Sequence, residues 1–354
     1  MSPLAKAEMI TLARESRGYT QKELAERANV SQANVSKWES GLLALSGEML
    51  ERVSLILGYP PAFFFQTDSI YGYGSSCLYN RKRQSLPVHD LRRVIAQLNV
   101  SRMQIERLLH KIEVEVQSRF FRLDIEEYSN CPELIAQTVR QRWNLPQGPI
   151  ENLTRIIEGC GGIVIKTSFG TRQLDAISQW SATSQTPLFF VNAEVPTDRL
   201  RFTLAHEIGH LIMHYVPTPN MELEADRFAA ELLMPAKEIG TSLSPLSLQK
   251  IAQLKPYWKV SMAAIAKRAF YLGRITGRHY RTIFTQMSKA GIRKREPITL
   301  APEDPTAMDA IVSIYRDEYG YTQSDLQTML YSLDTEDFRN RFGPRKQNRL
   351  SLVK

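Results

Sequence analysis

Cysteine is scarce in this chain: three residues in 354, at Cys77, Cys131 and Cys160. They are too few for a disulfide framework and too widely spaced for a C-x-x-C zinc site. Such usage suits a reducing compartment and predicts a cytoplasmic protein. Long apolar runs are missing as well. The densest patch, Phe63-Phe64-Phe65, is far shorter than the roughly 20 residues of a membrane-spanning helix, and the N-terminus has no apolar leader. No membrane partner is expected. Acidic residues are in deficit, 37 Asp and Glu against 45 Lys and Arg, leaving a formal charge of +8. That excess points to a polyanionic partner without separating nucleic acid from a merely basic surface.

What is present is ordinary in bulk. The chain is 43% hydrophobic and 23% charged, a soluble globular balance long enough for two or three domains. One stretch, Thr197 to Met234, stands apart. It contains H-E-I-G-H, with His206 and His210 four residues apart. On a helix both imidazoles project from one face and can share a metal ion, while Glu207 beside them reaches a water on that ion without binding it. The motif alone is weak evidence, since roughly 1% of chains this long would carry it by accident. After a turn at Pro217 and Pro219, Glu222 and Asp226 are again four apart on a second predicted helix. A His-His-Glu set with one open position suits a catalytic zinc. Glu222 is favoured as the third ligand because it is in register with Asp226; Glu224 is the alternative, leaving the helix about 200° away. Asp226 is then expected to accept the free N–H of a zinc-bound histidine. His214 continues the row but lies about 12 Å from His206 along the helix, too far to share the ion. Glu231 reads as a salt-bridge or surface residue, and the isolated His89 and His110 as structural.

Residues 1–67 carry short helical patterns punctuated by turns. Thr20 opens T-Q-K-E, a capping box with Glu23, and Ser31 caps Q-A-N-V-S-K-W-E-S, which stops at Gly41. Two short helices joined by a tight turn form a helix-turn-helix unit. The run R-G-Y-T-Q-K-E-L-A-E-R-A-N-V-S-Q-A-N-V-S-K-W-E-S-G resembles the Cro/CI-type (XRE) helix-turn-helix family. The resemblance implies that Gln21 grips a phosphate of double-stranded DNA, and that Gln32, Ala33 and Lys37 face base edges in the major groove. Elementary readout agrees: Gln pairs with adenine, Lys with guanine, and an Ala methyl meets a thymine methyl.

Residues 68–118 read as a Gly-, Ser- and Tyr-rich linker, a basic Arg81-Lys82-Arg83 cluster, and one or two amphipathic helices. Those helices would either dimerise the chain or pack onto the next domain. Residues 119–297 mix helices with β-rich runs at Ile163–Lys166 and Pro187–Asn192, and a third candidate at Asp175–Trp180. This predicts a small sheet leading into the H-E-x-x-H helix, its edge strand able to align an extended peptide. Residues 298–354 form a helical C-terminal region with a basic tail. There Y-T-Q-S-D-L echoes residues 19–24, but the acidic continuation makes it a capped helix start and not a second DNA-binding unit.

The fold expected is thus multi-domain and mainly α: a helix-turn-helix bundle, an α+β zincin-like domain, then helices. The stretch L-D-A-I-S-Q-W, P-L-F-F-V-N, R-F-T-L-A-H-E-I-G-H and E-A-D-R-F-A-A-E-L-L-M-P resembles the ImmA/IrrE family of zinc metallopeptidases from about residue 150 to 240, with a looser match to about 297. The resemblance implies Zn²⁺ on His206, His210 and Glu222, Glu207 as general base, Asp226 behind the ligands, and a repressor- or antitoxin-like protein as substrate. The expected function is a DNA-binding regulator that cleaves such a protein, possession of an intact Glu207 arguing against a sensor that binds without cutting.

Overall fold

The computed structural model describes residues 4–71, 87–112, 119–171, 173–181, 184–216, 218–293 and 296–343. The linker stretch 72–80, Arg81-Lys82-Arg83, Pro217 and the basic tail beyond residue 343 lie outside the described residues. These residues fall into two compact units, one built from 4–71, 87–112 and 306–343, the other from 119–305. Among the described residues no helix is long and apolar enough to cross a membrane.

The first unit begins with α1 (Ala7–Ser16), α2 (Gln21–Ala28), α3 (Gln32–Glu39) and α4 (Gly47–Leu57). Each of the last three starts on a hydroxyl cap: Thr20, Ser31 and Ser46 accept from the third backbone N–H of their helices. At Thr20 the capping box closes, with Glu23 accepting from the Thr20 N–H at 2.7 Å. Gly58 ends α4 in the left-handed region, φ +69°, where a side chain would be strained. Apolar residues from all four helices, including Met9, Leu24, Val35, Trp38 and Val53, share one core. A long amphipathic helix, α5 (Val88–Leu109), adds Ala96, Val100 and Met103 to it. Three C-terminal helices (Ala307–Asp317, Gln323–Met329 and Thr335–Phe342) belong to the same unit. Gln104 donates to the Leu330 carbonyl at 3.0 Å, and the Tyr315 hydroxyl to that of Leu108 at 2.8 Å. The echo at residues 321–326 is a helix start: Thr322 and Asp325 form a second capping box.

The second unit opens with α6 (Pro132–Arg142) and α7 (Leu153–Gly159). A three-stranded sheet follows: β1 (Ile163–Thr167), β2 (Ala176–Trp180) and β3 (Pro187–Asn192). The central β3 pairs parallel with β1 and antiparallel with β2, so Phe189 lies between Val164 and Ser178. All six β3 residues are buried, as a central strand's must be, which explains an unbroken apolar run without alternation. Then come α8 (Thr197–Met213) and α9 (Met221–Leu233), a short α10 (Ala236–Ile239), and α11 (Leu248–Trp258), α12 (Met262–Tyr271) and α13 (Gly277–Lys289). Leu204, Ile208 and Ile212 of α8 are wholly buried among Phe189, Val191, Phe228 and Leu232. At about 1.5–3 kcal/mol per buried apolar side chain, this packing fixes the two helices against the sheet. The segment after α13 is tied back by two acids. Glu296 accepts from the buried Lys255 at 2.6 Å and caps α12 at the Met262 N–H. Glu303 caps α7 at Leu153 and Thr154 and pairs with buried Arg201.

Candidate metal centre and DNA-facing helix

α8 turns both histidines of H-E-x-x-H toward α9, with His206 Nε2 and His210 Nε2 2.9 Å apart. Glu222, in the first turn of α9, brings Oε1 to 3.3 Å from His210 Nε2 and Oε2 to 3.7 Å from His206 Nε2. Ligand-type atoms of these three residues all lie within 4.8 Å of one another. Glu224 turns away from them, its Oε2 3.0 Å from His214 Nε2. The roughly 200° of helix rotation between the two glutamates makes that separation unavoidable.

Behind the imidazoles, hydrogen bonds fix the rings. His206 Nδ1 meets Asp226 Oδ1 at 3.0 Å, and the other oxygen of Asp226 accepts from Lys267 Nζ at 2.7 Å. His210 Nδ1 lies 3.0 Å from His214 Nδ1. Glu207 is buried on the sheet side of α8. Its Oε2 accepts from the Ser178 N–H at 2.9 Å and from the Ser178 hydroxyl at 2.6 Å. Trp180, two residues along β2 on the same face, donates its indole N–H to the Leu211 carbonyl at 3.3 Å.

The electrostatics of the group call for positive charge. Burial opposes a charged His206, yet hydrogen bonds to Asp226 and Glu222, with Glu207 nearby, push its pKa up to about 9. Burial works to raise the two acids, but the histidines, and Lys267 at Asp226, outweigh it and hold Glu222 and Asp226 each at about 2. His214 goes the other way: burial, then His210 and His206, drive it down to about 3 and keep it neutral. Burial also lifts the Glu224 carboxyl above its ordinary value, against the opposing charges of Arg227 and His210. A divalent cation fits this donor set. Glu222 Oε1 is buried with no hydrogen-bond partner, and two ring nitrogens face one another where a shared positive centre would satisfy both.

On the other unit, α3 buries Val35 and Trp38 and exposes Gln32, Ala33, Ser36 and Lys37. Gln32 and Ala33 open the helix and Lys37 follows one turn later, so all three share an exposed face. Gln21 is partly buried and its amide donates to Glu39 Oε2 at 2.9 Å. Glu39 also holds Arg14 of α1, at 2.5 and 3.0 Å. Glu39 is therefore the knot joining the first three helices.

Ser178, Lys267 and the partners of His214 and Glu39 did not emerge from the sequence. Ser178 had one usable signal, its alternation with Ala176 and Trp180 on a strand predicted to precede the motif helix. The others are contacts between elements distant in the chain and leave no local pattern.

A family model described as the IrrE N-terminal-like domain, of peptidase type M78, matches residues 160–270. A helix-turn-helix model matches residues 10–64. Residues 160–270 are thus similar to IrrE N-terminal-like domains. No curated protein matches the chain. The IrrE-like match begins at the turn before β1 and ends in α12, so it encloses His206, His210, Glu222 and Lys267. It supports a metallopeptidase-like domain and implies a metal, for which the His/Glu group is a possible site. The helix-turn-helix match supports DNA-binding regulation.

Proposed function

We propose that the protein is a DNA-binding regulator whose IrrE-like domain is a zinc peptidase acting on a repressor- or antitoxin-like protein. The observation that carries this reading is the convergence of two imidazole nitrogens and one carboxylate, with Glu207 beside them. His206, His210 and Glu222 would hold the ion, and Asp226 would orient His206. A zinc there supplies a Lewis acid that polarises the scissile carbonyl and acidifies water.

The chain's own residues do the rest. Glu207 takes the proton of the attacking water and returns it to the leaving amine. Ser178 anchors one of its oxygens from β2, so the base is held at a fixed distance from the histidines. β2 is an outer strand of the sheet, and its outer edge suits an extended peptide laid beside Glu207. On the DNA side, Gln21 would contact a phosphate while Gln32, Ala33 and Lys37 read bases.

Metal analysis of the purified protein should find about one zinc per chain. Glu207→Gln should retain that zinc and lose cleavage of a regulator encoded beside the gene. A wild type that leaves every such regulator intact, and is indistinguishable from Glu207→Gln in cells, would replace the peptidase reading with a metal-dependent sensor. DNA binding should weaken steeply with salt. Gln32→Ala should remove about 1–3 kcal/mol of base discrimination, measured by competition between specific and random duplexes.

A further inference from the structure

One pair beside the metal site, a buried histidine and a partly buried glutamate, neither ligates the ion nor moves a proton in the proposed reaction. It consists of His214, which caps the end of α8, and Glu224, in the first turn of α9. Both nitrogens of His214 are engaged, Nδ1 with His210 Nδ1 and Nε2 with Glu224 Oε2, each at 3.0 Å. The His214 side chain is 3% exposed and that of Glu224 16%. A histidine that merely filled space would not need both ring nitrogens in line with partners.

The direction of these bonds follows from what each group can do. A carboxylate only accepts, so His214 Nε2 carries the hydrogen that meets Glu224. A neutral imidazole has one N–H, so His214 Nδ1 is left as an acceptor. His210 Nδ1 must then be the donor across the 3.0 Å contact. With its hydrogen on Nδ1, His210 presents a bare lone pair at Nε2, the atom that faces His206 Nε2 and Glu222. Reverse the order, and His210 would point an N–H into the site and could not bind a cation there.

We propose that Glu224 is a positioning residue for metal binding, acting through His214 to fix the ring orientation and hydrogen placement of His210. The two imidazoles would then be set by separate carboxylates: His206 directly by Asp226, His210 at one remove by Glu224. The inference rests on the proposed metal site and adds two residues to it. It also explains why a third histidine follows H-E-x-x-H at a spacing that cannot reach the same ion.

The test uses the full chain and zinc itself. Zinc affinity, from competition with a chromophoric chelator, should fall about 10–100-fold in Glu224→Ala and in His214→Phe. Glu224→Gln, whose carbonyl can still accept from His214 Nε2, should stay within a few fold of wild type. A structural role alone would not produce that rescue. Imidazole ¹⁵N shifts of the metal-free protein give a second readout, expected to show His210 protonated at Nδ1 in wild type and mixed in Glu224→Ala. Wild type that binds zinc while both variants match it within twofold overturns the relay and leaves the metal site standing. His210 protonated at Nε2 in metal-free wild type overturns it too, even if the variants fail to fold. Wild type that takes up no zinc removes the metal reading and the relay with it.

Discussion

Arg268 and Glu231 illustrate how much a single buried pair can weigh. Their side chains are 3% and 2% exposed and directly bonded; Gln137 and the Ala236 N–H also serve Glu231. Arg268 further donates to the Met234 carbonyl at 3.0 Å, so the pair ties α12 to the end of α9. Removing one partner leaves a desolvated charge, and Glu231→Ala should cost about 3–5 kcal/mol in chemical denaturation. The double variant Glu231→Leu, Arg268→Met should recover much of that loss. The sequence marked Glu231 as a salt-bridge or surface residue, because a helical position nine residues past Glu222 does not reveal how deep it lies. Cys160 makes the opposite kind of prediction. It is buried beside β1, and burial pushes its thiol up to about 12. Thiolate, the reactive form, therefore stays negligible from about pH 7 to 9. Iodoacetamide should leave the Cys160 peptide unlabelled over that range, as read by mass spectrometry, until the protein is unfolded.

Among the elements, α8 and α9 must approach closely for Glu222 to meet two histidines. Gly209 makes the approach possible. A methyl group there would sit 3.0 Å from Phe228 Cδ1 and 3.3 Å from the Ala225 Cα, and the second neighbour is backbone that cannot swing aside. Gly209→Ala should therefore part the helices by a few tenths of an ångström, lower stability by about 1–3 kcal/mol and weaken zinc binding. Calorimetry and chelator competition read the two effects on one sample. The glycine inside H-E-I-G-H is read from the structure as a spacing device. Strand and helix identities in this unit were legible beforehand, since Ile163–Lys166 and Pro187–Asn192 are short, largely apolar and bounded by turn residues, with Asp175–Trp180 a more polar third candidate between them. Their order in the sheet was not, because pairing depends on contacts that a strand's own residues do not encode.

For the molecule as a whole, the first unit is assembled from segments that the second interrupts. The sequence showed α5 to be amphipathic, which says that one face is covered but not by what. The contacts seen are of a third kind, beside dimerisation and packing on the following domain: α5 closes the helix-turn-helix core and receives the C-terminal helices. A chain ending at residue 305 should thus lose stability selectively in its DNA-binding half. Two thermal transitions are expected in the full protein, and truncation should lower one of them by several degrees while the zinc-dependent one keeps its midpoint.

This threading has a consequence for any cut that the protein makes in its own backbone. Scission within residues 119–305 would sever the polypeptide yet not release the helix-turn-helix half, whose two ends remain clasped through Gln104 to Leu330 and Tyr315 to Leu108. On the proposed reading, self-proteolysis there would nick the chain without disarming its DNA-binding half, and only a scission inside the clasp itself would part the two segments.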